Sequence, residues 1–175
     1  MWVNATGNWP YFSDDVDRIA WVRLLVRVLE REEWSCLAFC QMTTHVHLIV
    51  SVRDWSLPEG MRYLNREYSR DFNARHERVG HFIRQRYGSS RIRDGRDLVG
   101  RYAYVVLNPV VEGMCPRGED WRWSSHATTI GISTDFPFVD ASLVLAEVGG
   151  SRARLRDAVN ARAAEKLSGR AMAGN

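Results

Sequence analysis

The chain has 175 residues, a length that suits one domain with a single buried core. Hydrophobic residues make up 45% and charged residues 26% of it, which excludes collagen-like repeats and wholesale disorder. No apolar run approaches the roughly 20 residues that span a bilayer, so we expect no membrane partner. The N-terminus lacks the pattern of a secretion signal, and Cys36, Cys40 and Cys115 make no disulfide framework, so we expect a cytoplasmic protein.

Positive charge is concentrated in one segment. The chain carries 24 Lys and Arg against 21 Asp and Glu, and Lys166 is its single lysine. Between Arg62 and Arg101 there are 11 arginines against five acidic residues, a local charge of +6. Because the planar guanidinium matches phosphate oxygens, this segment predicts a face that binds a polyanion. A solvated charged surface, or an arginine bias of the genome, remains an alternative explanation.

Hydrophobic periodicity and breakers predict the following elements: an incomplete strand over 1–6, a helix over 14–32 capped by Ser13, paired strands over 34–42 and 45–52, a helix from Pro58 towards His76, a strand over 81–87, and a helix over 94–107 that ends near Pro109. This order predicts an α+β fold, a ferredoxin-like βαββαβ sandwich with an antiparallel sheet and an added C-terminal helix. Two short helices, over 140–148 and 151–166, follow. We expect a catalytic domain over 1–131 and a helical, partly flexible extension over 132–175.

Two histidines occupy alternate positions of one predicted strand. His45 and His47 therefore project from the same face, while the apolar residues between and after them face the helices. We expect the histidine side to be the open face of the sheet. Two imidazoles so spaced can bind one metal ion and leave positions for a substrate. Two ordinary exposed polar residues, or a structural zinc site that adds Cys36 and Cys40, are the alternatives.

The third predicted helix carries a tyrosine and an asparagine on one face. Tyr104 and Asn108 are at i and i+4, within about 6 Å of each other. A phenol beside an amide oxygen can supply a nucleophile and a metal ligand, although packing and capping are commoner roles near a helix end. Tyr102 lies about 200° around the helix from Tyr104 and should point elsewhere.

Five segments occur in a recognisable order: Met42-Thr-Thr-His45-Val-His47, Tyr68-Ser-Arg-Asp-Phe-Asn73, Gly80-His-Phe with Arg86-Tyr87, Tyr104-Val-Val-Leu-Asn108-Pro-Val and Trp121-Arg-Trp-Ser-Ser125. Together, over about residues 2–131, the chain resembles the single-tyrosine HUH transposases, and within them the REP-associated tyrosine transposase branch (transposase IS200-like). It departs from their pattern at Thr43-Thr44, where the family usually has Pro-Asn, and in a short first strand.

The resemblance implies a metal-dependent DNA transposase or single-strand endonuclease. Such an enzyme cleaves and rejoins single-stranded DNA near hairpins through a 5′-phosphotyrosine intermediate. The resemblance assigns the nucleophile to Tyr104 and the ligands of Mg2+ or Mn2+ to His45, His47 and Asn108. It implies hairpin or palindromic DNA as partner and a monomer or homodimer. The sequence has no Walker-type loop, so no nucleotide cofactor is expected.

Several arginines would then contact the DNA backbone phosphates: Arg62, Arg66, Arg70, Arg84, Arg86, Arg91 and Arg93. Trp121 and Trp123 would stack on unpaired bases or, as we favour, anchor the core. Three other functions stay open. A relaxase or replication-initiator nickase shares this chemistry. A catalytically inactive or domesticated DNA-binding protein is compatible with Thr43-Thr44 and the short first strand. A ferredoxin-like RNA-binding module would need aromatic residues on the open sheet face.

Overall fold

The described residues are 2–4, 10–53, 56–83 and 87–173 of a computed structural model, and they form both strands and helices. In chain order they are β1 (Trp2–Asn4), α1 (Asp15–Arg31), β2 (Ser35–Gln41), β3 (His45–Ser51), α2 (Leu57–Arg75), α3 (Gly95–Val111), a 3-10 turn (Gly118–Asp120), α4 (His126–Thr129), α5 (Ser142–Ala146) and α6 (Arg152–Ala173). This mixture of an antiparallel sheet with helices confirms the predicted α+β class. No helix in these ranges is both long and apolar enough to cross a membrane.

The sheet places the histidine strand in its centre. Its strand order is β1-β3-β2, and β1 runs antiparallel to β3 with Trp2 opposite His47 and Asn4 opposite His45. The short first strand is thus confirmed. Of the strand predicted over 81–87, residues 84–86 lie outside the described residues, and Ile83 and Gly88 each form a single bridge.

The chain divides into two compact units. The first contains residues 1–36 and 41–90, and the second contains residues 37–40 and 91–175. The middle of β2 therefore belongs with the C-terminal half of the chain. There the ring of Phe39 packs against Phe136 and Phe138, with centroids 4.8 and 5.9 Å apart. The predicted boundary after residue 131 stays a prediction.

In the first unit, α1 and α2 pack together through an aromatic core. Its buried rings are those of Tyr11, Phe12, Trp21, Tyr68, Phe72 and Phe82. The start of α1 is capped by Asp14, which accepts from the backbone N–H groups of Val16 at 2.9 Å and Asp17 at 3.1 Å. The prediction of a Ser13 cap is wrong by one residue, because the Ser13 N–H instead donates to the Asp17 carboxylate at 2.8 Å.

The buried Asp17 carboxylate connects the two helices of this unit. Its Oδ1 accepts a hydrogen bond from Arg75, and Nε2 of His76 lies 3.0 Å from each carboxylate oxygen. Both partners lie at the C-terminal end of α2, where positive side chains also complement the helix dipole. The start of α1 is thereby fixed to the end of α2, which holds the helical layer of this unit.

In the second unit, two helices exceed their predicted lengths. The predicted stop at Pro109 is wrong, because α3 continues through that proline to Val111. The last helix, predicted over 151–166, instead spans Arg152–Ala173. It packs on α3 with Leu155 and Val159 fully buried. This apolar contact stabilises the N-terminal part of α6 against α3.

Candidate active site

The two histidines are less exposed than their alternation predicts. His45 is half-buried, and His47 is buried, with only 7% of its surface exposed to solvent. The prediction of an open histidine face is therefore wrong for His47. The physical reason is the central position of β3, in which residues 46–49 are all buried, so both faces of the strand are covered.

The imidazoles of His45 and His47 converge through their Nε2 atoms. These atoms lie 2.9 Å apart, and the ring planes are perpendicular. Two nitrogen ligands about 2.1 Å from one ion and at right angles would lie about 3 Å apart, so the pair fits two adjacent positions of an octahedral ion. Oγ1 of Thr44 lies 3.0 Å from Nδ1 of His45. A Nδ1–H of His45 that donates to this hydroxyl would leave the Nε2 lone pair of His45 for a metal.

The alternative zinc site is not formed. The side chains of Cys36 and Cys40 are buried, and neither thiol is part of a disulfide. Within the described residues, no group of three or more His, Cys, Asp and Glu side chains could hold a metal ion. Both cysteines therefore serve as small buried residues of β2.

The two neighbouring tyrosines of α3 point in different directions, as predicted. Tyr104 is 47% exposed, whereas Tyr102 is fully buried, and its hydroxyl lies 2.8 Å from Nδ1 of His126. Burial raises the pKa of Tyr102 above its ordinary value, although a hydrogen bond with Thr129 opposes the shift. Of the two phenols, only that of Tyr104 is open to an external substrate. Its ring is contacted by Lys166, whose Nζ lies 4.8 Å from the ring centroid.

The side chain of Asn108 compensates for the proline that follows it. Pro109 has no N–H to donate to the carbonyl oxygen of Val105, four residues earlier. Nδ2 of Asn108 donates to that oxygen at 3.4 Å and to the carbonyl oxygen of Tyr104 at 2.6 Å. Because both carbonyl oxygens can only accept hydrogen bonds, the side-chain atom of Asn108 that contacts them is its NH2 nitrogen. The other side-chain atom, Oδ1, therefore points away from the backbone. Asn108 thus presents an oxygen of the type that Mg2+ and Mn2+ accept.

A buried polar network lies behind Tyr102, and the sequence did not indicate it. Glu119 belongs to the 3-10 turn Gly118–Asp120, yet its side chain is only 3% exposed. Burial would raise the pKa of Glu119, yet hydrogen bonds from its own backbone and from Arg156 hold that pKa below its usual range. Nε2 of His126 lies 4.0 Å from the same carboxylate. The one available signal was the Trp-Ser-Ser-His segment, in which a histidine directly follows small, buried residues.

The basic stripe of α2 is present but partly neutralised. Arg62, Arg66 and Arg70 are well exposed, as predicted. Arg62 pairs with Glu59, while Arg66 and Arg70 both pair with Glu67. The local charge of +6 therefore overstates the field that a polyanion would meet on this helix.

The other predicted phosphate contacts are distributed as follows. Arg91 is exposed, Arg93 lies 3.6 Å from Asp97, and Arg84 and Arg86 lie outside the described residues.

Of the two tryptophans, Trp123 is buried, which confirms the core position that we favoured, and Trp121 is half-buried.

Comparison with known proteins gives one family and one related structure. The model of the family described as "Transposase IS200 like" matches residues 10–103, more than half of the chain. The solved structure of the REP-associated tyrosine transposase bound to a REP hairpin is similar, with a TM-score of 0.61 and 17% sequence identity. That likeness covers 81% of this chain and 84% of the other, and it shows a shared fold. None of the curated proteins compared with the chain matches it.

Proposed function

Because the chain belongs to the IS200-like transposase family, we propose that it cleaves and rejoins single-stranded DNA with Tyr104 as nucleophile. The observation that carries the proposal is the convergence of the His45 and His47 Nε2 atoms at 2.9 Å, the spacing of two ligands on one ion. The exposed phenol of Tyr104, beside the buried Tyr102, supports the choice of nucleophile. A hairpin-bound neighbour of the same fold supports hairpin DNA as substrate. A DNA substrate also supports the cytoplasm as its compartment.

In this proposal the protein holds the substrate and exchanges one phosphodiester bond for another. The phenol oxygen of Tyr104 attacks the phosphorus atom and loses its proton as the new O–P bond forms. The bond from phosphorus to the leaving 3′ oxygen breaks, so that strand ends in a free 3′-OH. The 5′ phosphate remains linked to Tyr104. A second 3′-OH reverses the step and joins strands. Because one phosphodiester bond replaces another, the reaction requires no nucleotide cofactor.

The proposed metal ligands are His45, His47 and Asn108. A bound Mg2+ or Mn2+ supplies positive charge that neutralises a non-bridging phosphate oxygen. Thr44 orients the ring of His45 through Nδ1. The two backbone carbonyls that accept from Asn108 orient its Oδ1. Because His45 and Asn108 are already oriented, binding of a metal ion would require less rearrangement of their side chains.

The test is a covalent adduct assay. Hairpin DNA with single-stranded flanks, drawn from the sequence around the gene, is labelled at either end and incubated with protein and Mg2+ or Mn2+. We expect a protein–DNA adduct on the 3′-labelled strand in a denaturing gel, and its loss with chelator, with Tyr104→Phe and with His45→Ala. Tyr63→Phe is the matched control. It also removes one tyrosine hydroxyl, and the ring of Tyr63 is likewise contacted by cationic side chains, in this case arginines.

A native complex without any adduct, under every metal tried, would overturn the proposal. It would leave a DNA-binding protein without catalysis. An adduct that persists in Tyr104→Phe would move the nucleophile to another residue.

A further inference from the structure

The face of α6 that packs on α3 changes from apolar to basic along its length. Leu155 and Val159 are fully buried. Arg162 and Lys166 follow them at a spacing of seven residues, which returns each side chain to nearly the same face. The two cations therefore continue the packed stripe along α3, and both side chains are exposed to solvent.

Both cations contact α3 along the side that carries Tyr104. Nη1 of Arg162 donates to the carbonyl oxygen of Gly100 at 3.4 Å. A side chain at position 100 would place its Cβ only 3.3 Å from that nitrogen, so the glycine admits the guanidinium to the helix backbone. One turn further, Nζ of Lys166 lies 4.8 Å from the ring centroid of Tyr104, in the range of a cation–π contact.

Three other basic residues of the second unit are paired with acidic residues. Arg156 pairs with Glu119, Arg101 with Asp97 and Arg117 with Asp120. By contrast, neither Arg162 nor Lys166 forms an ion pair with any residue in the described ranges. Burial, and secondarily the charge of Arg162, lower the pKa of Lys166. Two like charges held near each other without a counterion form an arrangement that a bound anion would relieve.

We propose that Arg162 and Lys166 form a binding site for the phosphodiester backbone of the DNA strand that reaches Tyr104. This inference rests on the proposed function and names the groups that recognise the phosphates beside the nucleophile. The ammonium of Lys166 donates to a non-bridging oxygen, and the guanidinium of Arg162 binds the adjoining phosphate with its remaining N–H groups. The single lysine of the chain is thus a substrate-binding residue.

Binding of single-stranded DNA without metal tests the site directly. Fluorescence anisotropy with the hairpin oligonucleotide, in EDTA and at several NaCl concentrations, gives the slope of log K against log [NaCl]. For Lys166→Met and for Arg162→Gln we expect weaker binding and a slope shallower by about 0.7, the value for one phosphate fewer neutralised on a single strand. Arg154→Gln removes the same charge from an exposed position of α6 and is the matched control.

Lys166→Arg keeps the charge and should restore the wild-type slope of log K against log [NaCl]. Thermal unfolding of both Lys166 variants shows whether either substitution disturbs the fold. Equal slopes for Lys166→Met and Arg154→Gln would overturn the proposal.

The same variants separate this site from the proposed chemistry. If wild-type protein forms no adduct but Lys166→Met still makes the salt slope shallower, the phosphate site stands and the nuclease function fails. If wild-type protein forms the adduct and Lys166→Met neither weakens binding nor slows its formation, the nuclease function stands and the phosphate site fails.

Discussion

The hydroxyl of Tyr102 lies 2.8 Å from Nδ1 of His126, and neither side chain is exposed to solvent. This contact joins α3 to α4 inside the second unit. Tyr102→Phe would keep the ring but remove the partner of a buried nitrogen. We expect the free energy of unfolding to fall by about 1–3 kcal/mol. Tyr104→Phe, at an exposed position, should change it by less than about 0.5 kcal/mol. Urea unfolding of both variants measures the difference, and similar losses would contradict the assigned orientations.

The buried imidazole of His126 predicts a loss of stability in mild acid. Burial lowers its pKa from 6.5 to about 4; Glu119 opposes the shift and Arg156 adds to it. Above pH 6.5 the group is neutral in both states, and its contribution to stability is complete. Between pH 6.5 and 4 the unfolded chain binds the proton more readily. The free energy of unfolding should therefore fall as the pH is lowered, by up to about 1.4 kcal/mol per pH unit.

His126→Gln removes this titration and should flatten the dependence over that window. His81→Gln, at an exposed histidine, is the control and should keep it. Chemical unfolding at a series of pH values measures both slopes. An unchanged slope in His126→Gln would assign the acid sensitivity to other groups.

The helices and strands could be predicted because the hydrophobic periodicity that marks them is set by residues close together in the sequence. Alternation along 45–51 gives the histidine strand, and the stripe along 57–75 gives α2. Burial of His47 depends on neighbouring strands, so the alternation of one strand could not show it. Burial of Glu119 depends on Arg156, which is 37 residues away. The pairing of Glu67 with Arg70 was readable, since residues three positions apart are neighbours on a helix surface.

Thr44 replaces a residue of the family pattern and contacts a proposed metal ligand. Its Oγ1 lies 3.0 Å from Nδ1 of His45. Thr44→Val keeps the shape but removes this hydrogen bond, and we expect Mn2+ affinity to fall about 10- to 100-fold. Titration calorimetry with Mn2+ measures it. Thr43→Val, at the adjacent exposed position, is the control, and equal dissociation constants for the two variants would contradict this role.

Glu67 neutralises part of the positive charge with which α2 is expected to bind DNA. Its carboxylate lies 3.0 Å from Nε of Arg66 and 2.6 Å from Nη1 of Arg70. Glu67→Gln would release the guanidinium of Arg66, whereas Arg70 would keep its pair with Asp71 at 3.0 Å. We expect tighter binding of single-stranded DNA and a steeper salt dependence, by up to about 0.7 for each additional phosphate that an arginine neutralises. Glu77→Gln removes the same charge at an exposed position and should show only the small effect of net charge. Weaker binding by Glu67→Gln would indicate that these arginines need the carboxylate for their placement.

The continuation of α3 through Pro109 depends on Asn108, and a double-mutant cycle measures that dependence. Nδ2 of Asn108 donates to the carbonyl oxygen of Val105, which Pro109 cannot serve. Pro109→Ala supplies the missing N–H. It should therefore stabilise the Asn108→Ala protein more than it stabilises the wild type, with a coupling of about 0.5–1.5 kcal/mol. Urea unfolding of the two single variants and the double variant gives the coupling. Additive changes would mean that the amide does not act on that carbonyl, and Oδ1 would then no longer be fixed as the outward atom.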